Sequence, residues 1–295
     1  MRLTDAGLET VLVFDEGIDL PHFASFPLVD SDEGRAAMRR YFEPFLELAR
    51  DRDVPLVLST PTWRANSDWG RLLGYEDDDL AAVNRRAVEF LETVSGDYED
   101  VVIEACIGPR SDAYSPTVVM DAQEAESYHA VQLRTLADTA CTQATALTLT
   151  YVAEAVGIAR AATSAGLPIH IGFTVETDGR LPSGASIEDA ILAVDDATDG
   201  AAESFMINCA HPTHFADALP EGDSRGRIRG LRANASVLSH AELDEAEELD
   251  SGDPADLAER YVALRRDLPE LDVVGGCCGT DIRHVTAICD AWLAG

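Results

Sequence analysis

A (β/α)8 barrel forming one domain over residues 1–295 is the fold this sequence predicts, on three observations. Short apolar runs alternate with longer amphipathic segments, eight of those runs end in candidate strand termini, and 295 residues is an ordinary length for a single α/β barrel. The candidate strands end near Asp5, Thr60, Gly108, Thr148, Val175, Cys209, Asn234 and Gly276. Between the first two, Arg35 to Arg50 carries Met38, Tyr41, Phe42, Phe45, Leu46 and Ala49 at helical spacing. Similar patterns predict helices over roughly Ala122 to Ala140, Val152 to Ala165 and Pro254 to Arg266, the last opening on a proline that a first helical position tolerates. No linker rich in Gly, Pro or Ser interrupts the series, and no repeat longer than the βα period is visible.

Charge bounds the partners. The chain holds 54 acidic against 22 basic residues for a net charge of -32, and every one of the 22 is arginine. Such a surface repels nucleic acid. Clusters such as Glu76 to Asp79 and Glu242 to Asp250 read as solvated helix faces. Self-repulsion at this density is relieved by salt, so a halophilic, salt-rich cytoplasm is the expected setting. The absence of lysine excludes Schiff-base chemistry and a phosphate-binding loop lysine. No early segment has the pattern of a secretion signal, and no apolar run approaches bilayer length; a soluble, cytoplasmic protein without a membrane partner is expected.

The six cysteines, Cys106, Cys141, Cys209, Cys277, Cys278 and Cys289, are too dispersed for a disulfide scaffold and are read as reduced. Two of them are adjacent in Val273-Val274-Gly275-Gly276-Cys277-Cys278-Gly279-Thr280, and Cys209 follows Ile207-Asn208 in a matching strand-end context. Three thiolates meeting at the C-terminal mouth of a barrel suit a catalytic Zn2+, which commonly takes three protein ligands and keeps one position open. Gly275, Gly276 and Gly279 permit the sharp bend that two adjacent ligands need. The competing reading makes Cys277 and Cys278 small buried hydrophobes beside a tight turn. Cys106, inside the third strand, Cys141, near a helix end, and Cys289, in the terminal helix, are assigned to packing.

At these residues the chain resembles the zinc-dependent homocysteine S-methyltransferase family, whose members share the barrel, an Asn-Cys at one strand end and a Gly-Gly-Cys-Cys-Gly at another. The resemblance covers nearly the whole chain, and Thr4-Asp5-Ala6-Gly7-Leu8-Glu9-Thr10 resembles the family's opening Asp-Gly-Gly loop with Ala6 in place of a glycine. It implies that Cys209, Cys277 and Cys278 ligate zinc. It further implies in-line transfer of methyl from a small cationic donor to the thiol of homocysteine, giving methionine. A sulfonium such as S-methylmethionine or S-adenosylmethionine fits as donor, and so does a quaternary ammonium such as betaine. Trp63 and Trp69 offer aromatic faces for that cation or pack under a loop. Asp5, Glu9, Trp63, Glu176 and Asn208 are the candidate substrate-binding residues.

One position departs from the family pattern. Where many members carry Glu-Thr at the end of the fourth strand, with the glutamate helping to hold the substrate's amino group, this chain has Leu147-Thr148. Either Asp5, Glu9 or Glu176 takes that role, or the thiol is not homocysteine. Two other readings stay open. Cys209 with His211 and His214 forms a mixed site that activates water for a zinc-dependent hydrolase. Alternatively the zinc is structural, closed by His211 as fourth ligand. The histidines otherwise line the site, cap the next helix or orient a ligand. His284 reads equally as a mouth or a surface residue, and Asn234 and Ser236 as facing substrate or closing a strand.

Overall fold

In the computed structural model, which describes residues 1–113, 118–246 and 248–295, eight parallel strands close into a barrel in sequence order. They are β1 (Arg2–Thr4), β2 (Leu56–Ser59), β3 (Val101–Ile107), β4 (Gln143–Leu149), β5 (Ile169–Phe173), β6 (Ala202–Asn208), β7 (Ile228–Ala233) and β8 (Val273–Gly276). Closure comes from β1 pairing β8 through Arg2↔Val273 and Leu3↔Val274. Each strand ends within two residues of its expected terminus. Strand ends are legible because apolar runs stop where the chain turns to loop at the mouth.

The outer ring comprises α1 (Asp32–Arg52), α2 (Asp77–Ser95), α3 (Ala122–Ala137), α4 (Val152–Ala165), α5 (Ile187–Thr198), α6 (Pro254–Asp267) and α7 (Ile282–Ala294). Local chemistry sets their limits. Ser31 Oγ accepts from the Gly34 amide to start α1, and Asp53 ends it in the left-handed region at φ 52°. Capping boxes open α3 at Asp121 and Glu124 and α7 at Asp281 and His284. The α1 stripe Met38, Tyr41, Phe42, Phe45, Leu46 and Ala49 is buried, as its spacing predicts. Each such large side chain contributes about 1.5–3 kcal/mol on leaving water.

Two connections break the regular pattern. Three short turns, Pro212–Phe215, Ala216–Ala218 and Gly222–Gly226, join β6 to β7, where a full crossover helix would stand. After β7, the acidic segment expected as a solvated helix face is helical only over His240–Asp244. Its other described residues are loop at the barrel mouth, and Glu247 lies outside the described residues. Leu243 and Leu249 give this segment an apolar side that a helix-face reading of its charges overlooks.

The barrel interior is unusually polar. Such interiors are generally filled by branched aliphatics. Here Arg232 of β7 is buried and donates from Nη2 to Asp5 Oδ1 at 2.9 Å, from Nη1 to Ser59 Oγ at 2.7 Å and from Nε to the Gly276 carbonyl at 3.0 Å. Ser59 Oγ in turn donates to Glu104 Oε1 at 2.8 Å, and Thr145 Oγ1 donates to Glu104 Oε2 at 2.6 Å. A hydrogen-bonded chain thus crosses from β1 to β4 directly below the mouth.

Candidate active site

Cys209 closes β6, and Cys277 and Cys278 follow β8. Their sulfurs all lie within 4.8 Å of one another, with Cys209 Sγ 3.5 Å from Cys278 Sγ. The fit to zinc is testable from this spacing. Tetrahedral thiolates at about 2.3 Å from a metal stand about 3.8 Å apart, so the trio needs little movement to share one ion. Among the described residues it is the only group of three or more Cys, His, Asp or Glu side chains close enough to do so.

The backbone around the trio is held in unusual conformations. Cys209 has φ 56° and Thr148, at the end of β4, has φ 64°, both left-handed and uncommon for residues with a Cβ. Three side chains converge on the Cys209 carbonyl: His240 Nε2 at 2.9 Å, Thr174 Oγ1 at 3.1 Å and Asn234 Nδ2 at 3.1 Å. Glu176 Oε1 lies 3.3 Å from the other nitrogen of His240. Asn208 bridges to β4, accepting from the Thr148 amide at 2.9 Å and donating to Thr148 Oγ1 at 2.8 Å. These contacts offset the strain and aim the Cys209 sulfur at the other two.

The glycines before the cysteines act through space rather than torsion. A Cβ on Gly275 would stand 1.9 Å from Thr4 Oγ1, and one on Gly276 would stand 2.0 Å from Thr280 Oγ1. Only Gly279, at φ 77°, uses the left-handed freedom expected of the run.

Charge is distributed unevenly over the thiols. Hydrogen bonds from Cys209 and Cys278 hold the Cys277 thiol well below its ordinary value, with burial opposing and Arg232 assisting. Burial opposes the charge of Arg232, but Asp5, Cys277 and Glu104 more than compensate and keep it protonated. By contrast, burial pushes the Cys106 thiol well up, and raises Cys141 and Cys289 each to about 11. Cys106 packs with Leu147 and Met206 against Trp63, while Cys141 and Cys289 belong to the main core.

The trio opens into a cavity of about 380 Å³. Asp5, Glu9, Trp63, Arg64, Leu147 and Cys106 are among its walls, and Asp244, Glu248 and Asp250 stand at its rim. Trp63 donates from Nε1 to the Leu147 carbonyl at 3.2 Å, which fixes its ring beside the fourth strand. Trp69 lies outside the wall and packs against the Arg64 guanidinium at 4.1 Å. Neither Asn208 nor Glu176 lines the cavity.

Residues 3–292 match the family model described as homocysteine S-methyltransferase. The chain belongs to the homocysteine S-methyltransferase family. Solved structures of a methyltransferase of this kind have the same fold. The oxidized form of the homocysteine methyltransferase MmuM from Escherichia coli superposes with a TM-score of 0.77 at 15% identity, covering 98% of this chain and 94% of that one. Its metallated form gives 0.76 at 15% identity, with 98% and 96% covered. No curated protein matches the chain by sequence.

Within this methyltransferase barrel the mixed Cys/His site is not assembled. His211 caps the turn Pro212–Phe215, its Nδ1 accepting from the Thr213 amide at 3.3 Å, and His214 Nε2 donates to the Val237 carbonyl at 2.9 Å. Neither belongs to the sulfur cluster, so the hydrolase reading and the closed four-ligand site both lose their ligands. Pro212 is the physical reason: it starts a new helical turn and directs both imidazoles away. His284 is buried and holds the Ser251 carbonyl at 2.8 Å. Asn234 takes the Cys209 carbonyl, and Ser236 donates to Asp250 at 2.6 Å. Arg232 and His240 carry no such expectation from the sequence. An arginine inside a strand reads as surface alternation, and a histidine in an acidic stretch reads as solvated.

Proposed function

We propose that this methyltransferase is zinc-dependent and moves a methyl group from a small sulfonium or quaternary ammonium donor to the thiol of homocysteine, giving methionine. The single observation that carries the reading is the three-sulfur cluster, which faces a cavity and has no fourth protein ligand among the described residues. Cys209, Cys277 and Cys278 would hold the ion. Zinc in such a thiolate set supplies Lewis acidity that lets a further sulfur lose its proton near neutral pH while the anionic set keeps that sulfur electron-rich.

The protein's own groups supply the rest. Arg232 sits below Cys277 as a permanent counter-charge to the thiolates. The cavity walls restrict water and hold two reactants in line, which is the larger part of catalysis when no proton relay is needed. Trp63 presents an aromatic edge of the wall to a cationic donor. In the transfer, the acceptor thiol gives up its proton and its sulfur takes the methyl group as the donor's heteroatom–methyl bond breaks. The donor leaves as a neutral sulfide or tertiary amine. Incubating the zinc-loaded protein with L-homocysteine and each of S-methylmethionine, S-adenosylmethionine and betaine, with methionine read by mass spectrometry, tests the proposal. Methionine from at least one donor is expected, abolished by chelation and restored by zinc. Turnover unaffected by removal of the metal contradicts it.

A further inference from the structure

Homocysteine is a zwitterion, and its ammonium group needs an anionic partner when it leaves water. The wall nearest the end of β4 does not provide one: Leu147 and Cys106 make an apolar patch there with Trp63, backed by Met206. Asp5 lines the cavity, but Arg232 already neutralises it at 2.9 Å. Glu176 lies off the wall and meets His240. Asp112 is ion-paired with Arg64 at 3.4 Å, while Asp244, Glu248 and Asp250 are exposed to solvent at the rim.

Glu9 differs from all of these. It lines the cavity, is partly buried, and its Oε1 accepts a hydrogen bond from Ser25 Oγ at 2.7 Å; among the described residues it forms no salt bridge. Its placement beside the cysteines is built in. The turn Leu8–Thr10 that carries it is fastened to the β8 loop, because Gly7 donates to the Thr280 carbonyl at 3.2 Å and Gly279 donates to Thr10 Oγ1 at 3.2 Å. Gly7 also lies so close that a Cβ there would stand 2.6 Å from the Cys277 carbonyl oxygen. Burial raises the Glu9 carboxyl, with the Ser25 hydrogen bond opposing, so a cation that settles against it gains a partner that water does not already satisfy.

We infer that Glu9 is the specificity-determining anchor for the ammonium group of the thiol acceptor, with the acceptor's alkyl chain lying along the Leu147–Trp63 patch. The inference rests on the zinc-thiol reading above. It assigns recognition of the amino group to the β1 loop instead of the end of β4.

The test is isothermal titration calorimetry on the zinc-loaded full chain with L-homocysteine and with 4-mercaptobutanoate, which shares the thiol, chain length and carboxylate but lacks the ammonium. The wild type is expected to bind homocysteine about ten- to hundredfold more tightly, the range of one charge-assisted contact. Glu9→Gln keeps the shape of the side chain and an acceptor for Ser25, and should bring the ratio to within about threefold while leaving 4-mercaptobutanoate binding unchanged. Equal binding of both thiols by the wild type overturns the inference, as does an unchanged preference in Glu9→Gln or an equal loss of both ligands. If neither thiol binds the zinc-loaded wild type, the thiol-activation reading itself fails, an outcome separate from loss of discrimination.

Discussion

Six cysteines of one chemical kind fall into two physical classes. Cys209, Cys277 and Cys278 converge with the Arg232 counter-charge beneath them, whereas Cys106, Cys141 and Cys289 are thiols pushed up by burial, the last two to about 11. Serine at any of the first three is expected to lower zinc stoichiometry toward zero and abolish methyl transfer. Cys141→Ser or Cys289→Ser should leave the zinc content at one per chain, read by inductively coupled plasma mass spectrometry. Arg232 is the other decisive residue. Replacing it with methionine strands Asp5 as a buried, uncompensated carboxylate, and the expected loss is about 3–5 kcal/mol in urea unfolding. Adding Asp5→Asn should recover part of that loss, because the stranded charge is then gone.

Secondary-structure elements serve the site through their ends. Strand β6 stops at Asn208, and the left-handed turn at Cys209 is held by groups from three other segments: Thr174 after β5, Asn234 after β7 and His240 at the start of a short helix. His240→Phe removes one of three contacts to that carbonyl, and a ten- to hundredfold loss of zinc affinity, roughly, is expected in chelator competition. Protein stability should change far less than metal affinity if the role is positional. The cysteine motif itself was legible from sequence because adjacency and flanking glycines are local. The convergence on Cys209 was not, since Thr174, Asn234 and His240 are brought together only by barrel closure. The glycine run was legible with a different cause: Gly275 and Gly276 are needed for the close approach of Thr4 and Thr280, not for torsional freedom.

The whole molecule combines a legible barrel with a charge distribution that composition alone could only bound. Eight strand ends and the main helices follow from periodicity, because burial in a closed parallel sheet imposes it. No helix among the described residues is long and apolar enough to cross a membrane. The placement of the acidic stretch after Ser239 was hidden, because its charges mask the leucines that face the cavity. A net charge of -32 opposes compaction, and salt screens it. Differential scanning calorimetry is therefore expected to show the melting temperature rising by about 10 °C between about 0.1 M and about 2 M potassium chloride. A flat or falling profile would mean that the surface carboxylates are already neutralised by pairing.

The claim on which the rest depends is that Cys209, Cys277 and Cys278 hold zinc with one position left for the substrate's sulfur. Zinc-edge X-ray absorption on protein kept in concentrated potassium chloride, recorded before and after addition of L-homocysteine, tests it without any choice of methyl donor. Three protein sulfurs are expected before addition, joined by the sulfur of homocysteine as a fourth afterwards. A shell already complete with protein ligands, or one that homocysteine leaves unchanged, would contradict it.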